Sequence, residues 1–297
     1  MAFGVTLDDV VSRVRRDWQA TLRPTAFALS ANYTAGDTTL SLDGDLSGLS
    51  EGSIAAVGTN LLYITATSGS SLTVLPGWEG APESNAVAGD FCEIDPKIPK
   101  LSLVEWAEQE IDSWGSQLWR TATVELDVAN SARIYQLVAD DVLFLLDVRG
   151  RPVGTSGTWL GGSWPKMEAT LIREAPLADF ASGLAIQFKS FPAGTSAARV
   201  VYATPFDLST FDLTTDLIVD CGLERSQIDV LEAGLKHRLL DSGLVTRTDW
   251  QGAGMSRDAE EVTSVDIVRA ADMARSRRDR RLAEEALELR RVWGLIG

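Results

Sequence analysis

Apolar positions along this chain change period several times, from every third or fourth residue to strict alternation and back, and each change marks an element. Near the start Val10, Val14 and Trp18 recur at i, i+4 and i+8. Thr6 is placed to cap that helix, Asp8 and Asp9 fall in its first turn where the helix dipole favours anions, and Pro24 ends it. From residue 35 to 94 the period becomes two: Thr39 to Leu42, Leu62 to Ala66 and Ser71 to Leu75 alternate between Gly-Asp and Ser-Gly-Ser turns, the pattern of small, half-buried antiparallel strands. Asp95-Pro96-Lys97-Ile98-Pro99 then reads as a stiff connector. Ser102 is expected to cap a second helix, with Glu105 at the capping-box position and Leu103, Trp106, Ala107, Ile111, Trp114 and Leu118 on one face, stopping near Arg120.

Alternation returns over residues 123–206. Strands are predicted at 123–128, 133–137, 142–149, 166–172, 184–188 and 198–202, with Gly, Pro and Asn turns that suggest a β-sandwich or jelly-roll-like unit. Residues 206–216 read as an exposed connection. A third helix opens at Glu224 or Ser226 and runs through Leu231, Leu235, Leu239 and Leu240 to a stop at Gly243. After a loop at 252–254, a long helix is predicted from Arg257 to Trp293, apolar at Leu282, Ala286, Leu289 and Trp293 but polar all round over 275–281. Amphipathic helices of this kind are not stable singly. The expected fold is therefore α+β: a discontinuous bundle of four helices (1–24, 101–120 and 224–297) carrying an inserted small β-module (27–95) and an inserted β-sandwich (122–206). A linear string of separate domains is the alternative.

The chain has 297 residues, 45% of them hydrophobic, enough for two or three domains. Its net charge of −15 argues against a protein whose main task is to grip phosphate backbones, and suits a wall that nucleic acid passes without sticking. Cys92 and Cys221 are the only cysteines and read as buried, reduced thiols. The first residues lack a basic leader, and the apolar run at 142–148 is too short to span a bilayer, so synthesis in the cytoplasm is expected. Asn32-Tyr33-Thr34 matches a glycosylation sequon by chance.

Candidate chemistry is sparse. His237 is the single histidine, flanked by Lys236 and Arg238 on a predicted helix surface, which rules out multi-histidine metal sites. Asp140 and Asp141 read as a turn. Phosphate-loop, dinucleotide, zinc-protease and serine-hydrolase motifs are missing, so neither enzymatic activity nor a cofactor or metal is expected. Trp159 and Trp164 are candidates for a carbohydrate platform, set against the plainer expectation of core and subunit-contact tryptophans. The cluster of Arg275, Arg277, Arg278, Arg280 and Arg281 has no aromatic residues interleaved for base stacking, and nearby glutamates offset part of its charge. An acidic protein surface is its expected partner, either another copy of the chain or a different protein. Trp293, Leu295 and Ile296 form an apolar tip suited to a partner's pocket.

Two resemblances extend this reading. Gly-Asp-Thr-Thr at 36–39, Gly-Ser-Ile at 52–54, Leu-Thr-Val at 72–74, Gly-Trp-Glu-Gly at 77–80 and Ala-Gly-Asp at 88–90 resemble a β-module of structural proteins in tailed bacteriophages. Pro76 and Ala81 depart from that pattern and its closing histidine is absent, so no ligand is carried over. The last third, with its Leu231 to Leu240 helix and terminal Leu-x-x-Glu-Glu-Ala-Leu-x-Leu-Arg-Arg, looks like the helical part of head-to-tail adaptor proteins of long-tailed phages. That resemblance implies a structural virion protein at the neck, a ring expected to be dodecameric beneath the portal, continuing the DNA channel towards a downstream neck or tail-completion protein. It further implies a docking arm over 257–297, with Arg269 to Ile296 meeting the portal. A tail or baseplate protein with a carbohydrate-binding sandwich is the alternative.

Overall fold

The computed structural model describes residues 4–16, 25–128, 132–139, 141–152, 164–189, 195–242 and 264–295. The chain mixes helices and sheets and divides into two compact units, one of residues 1–113 with 207–282, the other of residues 114–206 with 283–297.

In the first unit, helix α1 (Leu7–Arg16) begins as expected at Thr6. Its backbone N–H and hydroxyl both donate to Asp9 Oδ2, at 3.0 and 2.8 Å, and Asp9 N–H returns a bond to Thr6 Oγ1, a reciprocal cap that satisfies two orphan donors. Leu7, Val10, Val11 and Val14 form its buried face. Trp18 and Pro24 lie outside the described residues. Helix α2 (Lys100–Ser113) starts directly after Pro99, so Ser102 sits inside the first turn instead of capping it. It ends at Ser113, not near Arg120: Gly115 takes a left-handed φ of 53°, which breaks the helix although the apolar pattern continues to Leu118. Helix α3 (Arg225–Asp241) opens with a capping box between Glu224 and Gln227. The three helices α1, α2 and α3 pack against one another. Gly243 and residues 252–254 lie outside the described residues, and helix α4 is described over Ser264–Val292.

Residues 206–216 are less open than the sequence suggests. Thr215 is buried, its carbonyl accepts from Leu7 N–H, and Thr6 bridges Asp216, so this segment seats the start of α1. The polar residues that gave a loop-like pattern spend their side chains on local turns: Asp212 Oδ1 accepts from the N–H and hydroxyl of Thr214.

The β-module carries strands β1 (Thr25–Ala28), β2 (Thr39–Ser41), β3 (Ile54–Val57), β4 (Asn60–Ser68), β5 (Ser71–Leu75) and β6 (Phe91–Ile94) in one antiparallel sheet of order β1-β6-β3-β4-β5-β2. Its two outer strands meet where Leu29 bridges Leu42, with Ser30 N–H on Ser41 O and Asp43 N–H on Ala28 O, so the sheet curls back on itself. Leu40, Leu42, Leu62, Ile64, Leu72 and Cys92 fill the interior. Trp78, in the turn the sequence marks with glycines, stacks on Tyr63 at 4.4 Å.

The second unit contains two three-stranded antiparallel sheets. β7 (Arg120–Asp127) and β9 (Phe144–Pro152) flank β12 (Thr195–Thr204), and β8 (Ile134–Gln136) and β10 (Ala169–Arg173) flank β11 (Leu184–Phe188). Val148, Ile186, Phe188, Ala198 and Val200 from both sheets share one apolar cluster. Leu184–Phe188 falls where the alternation places it, and the other strands differ from it by a few residues at their ends.

Both cysteines are buried and unbridged. Burial, then the neighbouring Glu93 carboxylate, pushes the Cys92 thiol up to about 12, which leaves only about one thiolate in 10⁴ at pH 8. Native protein should therefore show no fast reaction with a thiol-specific reagent at pH 8, and two reactive thiols after unfolding in urea. The cap should be sensitive to acid. The Thr6 N–H and then its hydroxyl hold Asp9 below the usual carboxylate range, so its contribution is complete above its unfolded pKa and is lost as pH falls through the lower folded value. Thr6→Ala should cost about 1 kcal/mol at neutral pH, with a smaller difference at pH 2 in urea titrations.

Candidate functional site

The most heavily committed polar group in the first unit is Glu110 on α2, whose side chain is 3% exposed. Arg238 on α3 donates through Nε to Glu110 Oε2 at 3.0 Å, and Arg278 on α4 donates through Nε to Oε1 at 2.6 Å. Each carboxylate oxygen thus takes one guanidinium. Further bonds fix both arginines: Arg238 Nη1 reaches Gln109 Oε1 and Nη2 the Gln109 carbonyl, while Arg278 Nη2 donates to Ser113 Oγ and Nη1 to Asp279. Although burial alone would lower it, the hydrogen bonds and charges of Asp279 and Glu110 hold the Arg278 guanidinium above its ordinary value. Gly234 on α3 lies flat against this carboxylate, and a methyl group there would overlap the Glu110 side chain. Local sequence makes the arrangement possible. Arg278 falls on the same side of α4 as buried Ala271 and Leu282, so the basic cluster turns one arginine inward where an apolar residue would otherwise stand.

The remaining arginines of the cluster face elsewhere. Arg269, Arg277 and Arg280 are exposed, as is Arg275, which lies 4.0 Å from Asp279. Arg281 is half-buried. Met273, one turn from Arg269 and from Arg277, is 73% exposed. Beyond the clamp, Leu282, Ala286 and Leu289 are buried, as their spacing predicts. Trp293 is half-buried and Leu295 is exposed, while Ile296 lies outside the described residues.

Of the two tryptophans considered as a carbohydrate platform, one is described. Trp164 is buried at 6% exposure, with the Arg151 guanidinium 5.9 Å from its ring centroid, so its face is used within the fold. Trp159 lies outside the described residues, as does Asp140. His237 is half-buried, not fully on the surface, and its Nδ1 is buried without a hydrogen-bond partner. Among the described residues no three His, Cys, Asp or Glu side chains converge as metal ligands. No helix there is long and apolar enough to cross a membrane.

A cleft of about 620 Å³ opens in the first unit between α1, the β-module and the start of α2, with Ser12, Phe91 and Thr214 on its walls. Two ion pairs cross this region: Lys100 with Asp8 at 2.7 Å, and Arg15, which grips both oxygens of Glu93 at 2.8 and 2.9 Å. These pairs pin α1 to α2 and to β6 and leave no unpaired charge among those four residues.

No protein-family model matches the sequence, and no curated protein matches it.

Glu110 is the residue that sequence periodicity passes over. It sits in the polar run Glu108-Gln109-Glu110, and its partners lie 128 and 168 positions away. A glycine at 234 within a leucine-rich helix is the one local sign that something bulky crosses there. Glu110→Gln keeps the shape but removes the charge, leaving two poorly hydrated guanidinium groups opposed. It should destabilise the first unit by about 3 kcal/mol in urea titrations, and Gly234→Ala should cost about 2 kcal/mol through overlap with the same side chain.

Proposed function

We propose that this chain is a ring-forming structural protein of the virion neck, a head-to-tail adaptor that sits beneath the portal and continues the DNA channel. The observation that carries this reading is the grip on Glu110. A single buried carboxylate joins helices drawn from positions 100–113, 225–241 and 264–292, which favours a discontinuous helical hub from which the β-module and a sandwich built of the two small sheets project as insertions. A hub closed on itself suits a subunit that must keep its shape while repeated around an axis. The net charge of −15, repeated around a lumen, repels DNA and lets it slide. Exposed arginines on α4 and the apolar tip at its end supply a surface for acidic protein.

The clamp also refines the docking arm. Because Arg278 is tied to Glu110, the first half of α4 belongs to the hub, and the portion offered to the portal is the part beyond it, towards Trp293, Leu295 and Ile296. In this reading the protein is made in the host cytoplasm, assembles with copies of itself, binds the portal above and a neck or tail-completion protein below, and neither catalyses a reaction nor holds a cofactor.

The test is co-assembly of purified chain with the portal of the same phage, followed by electron microscopy and mass measurement. Wild-type protein should form rings on the portal. Val292→Asp with Leu295→Asp, both at exposed positions, should weaken portal binding at least tenfold with an unchanged melting temperature. A wild-type chain that remains solitary beside the portal, or a double variant that binds as tightly as wild type, is incompatible with the proposal.

A further inference from the structure

The β-module has an unusual charge distribution. Residues 25–96 contain nine Asp and Glu side chains and no Lys, Arg or His. Glu93 is paired with Arg15; Asp37, Asp45 and Asp90 accept backbone N–H groups in turns, and Asp95 accepts the Ile54 N–H. The excess is sharpened around Tyr33. This residue is 2% exposed and pairs with Ala86 through the backbone. Exposed Asp37 and Glu83 lie near enough to the phenol to act on its ionisation: burial first, then these two carboxylates, push it above its ordinary value. The stretch 83–91 that carries Glu83 also carries Val87 at 60% exposure, Asp90, and Phe91 at 69%. Large exposed apolar groups among carboxylates mark a surface that binds protein.

A complementary surface exists on the same chain. Residues 269–281 hold six arginines against two aspartates, a net charge of +4. With Arg278 turned in to Glu110, the helical period places Arg269, Met273, Arg277 and Arg280 together on another face, and all four are exposed. Arginine and methionine are side chains favoured at protein interfaces. Both surfaces include exposed side chains, and the Arg278 clamp fixes the register of the helix.

We propose that this Arg–Met face of α4 docks on the acidic β-module of a second copy of the chain, with Met273 against the exposed apolar side chains of 83–91 and guanidinium groups on Asp37 and Glu83. The two surfaces differ, so the contact is heterologous, passing from each copy to the next. Such a contact generates a closed ring when its rotation closes. The inference rests on the ring reading and deepens it by naming which surfaces meet.

Charge exchange in the full-length chain tests it. Glu83→Arg and Arg277→Glu should each weaken self-association at least tenfold, measured by sedimentation at low salt, with the circular dichroism and melting temperature of wild type. Mixing the two variants should restore assembly, because each interface between unlike copies is then either wild type or doubly reversed; the variant carrying both substitutions should assemble as well. If wild type assembles and the single variants assemble equally, or if mixing restores nothing, the pairing of these surfaces is wrong while the ring stands. A wild-type chain that stays monomeric at all concentrations, alone and with the portal, removes both.

Discussion

A carboxylate withdrawn from water is stable only if its charge is matched and its lone pairs are used, and Glu110 sets that condition for the first unit of this protein. Two guanidinium groups meet it, one from α3 and one from α4, and each is held by further bonds to Gln109 or Ser113. Three helices far apart in sequence are thereby brought to one atom pair. Apolar packing alone, which is indifferent to small shifts in register, would not specify where along α4 the contact falls. A carboxylate with two defined donors does, and Gly234 makes room for it.

Much of the rest was legible from the chain because it depends on neighbours. The cap of α1 at Thr6, the opening of α3 at Glu224 (one of the two starts the sequence offered) and the alternating strands of the β-module are local, and propensity, turn chemistry and periodicity agree at each. The end of α2 was misplaced because an apolar pattern continues through Trp114 and Leu118, whereas the backbone turns at Gly115 and those side chains are buried in the second unit. The segment at 206–216 read as an exposed connection because its polar residues are numerous; Thr215 and Leu217 are nonetheless buried, and the polar groups satisfy one another in turns.

The basic cluster of α4 shows the limit most clearly. Five arginines in seven residues, 275–281, read as one basic block, and the sequence could not say that Arg278 turns inward. That distinction depends on an acid 168 positions away, a separation across which no periodic pattern carries information. Trp164 was ambiguous for a similar reason: whether an indole is a platform or part of a core is decided by what covers it, and here an arginine and the surrounding fold do so.

The seam at Leu29 and Leu42 has a consequence for crowded conditions. An isolated six-stranded sheet would expose two rows of unsatisfied peptide groups, each able to recruit a strand from a neighbouring molecule. By stitching its first strand to its second, the module hides part of both rows and lowers the number of wrong ways in which identical chains can stick together. Subunits packed at high local density can then find one another through side-chain chemistry, while the sheet itself stays indifferent to its neighbours.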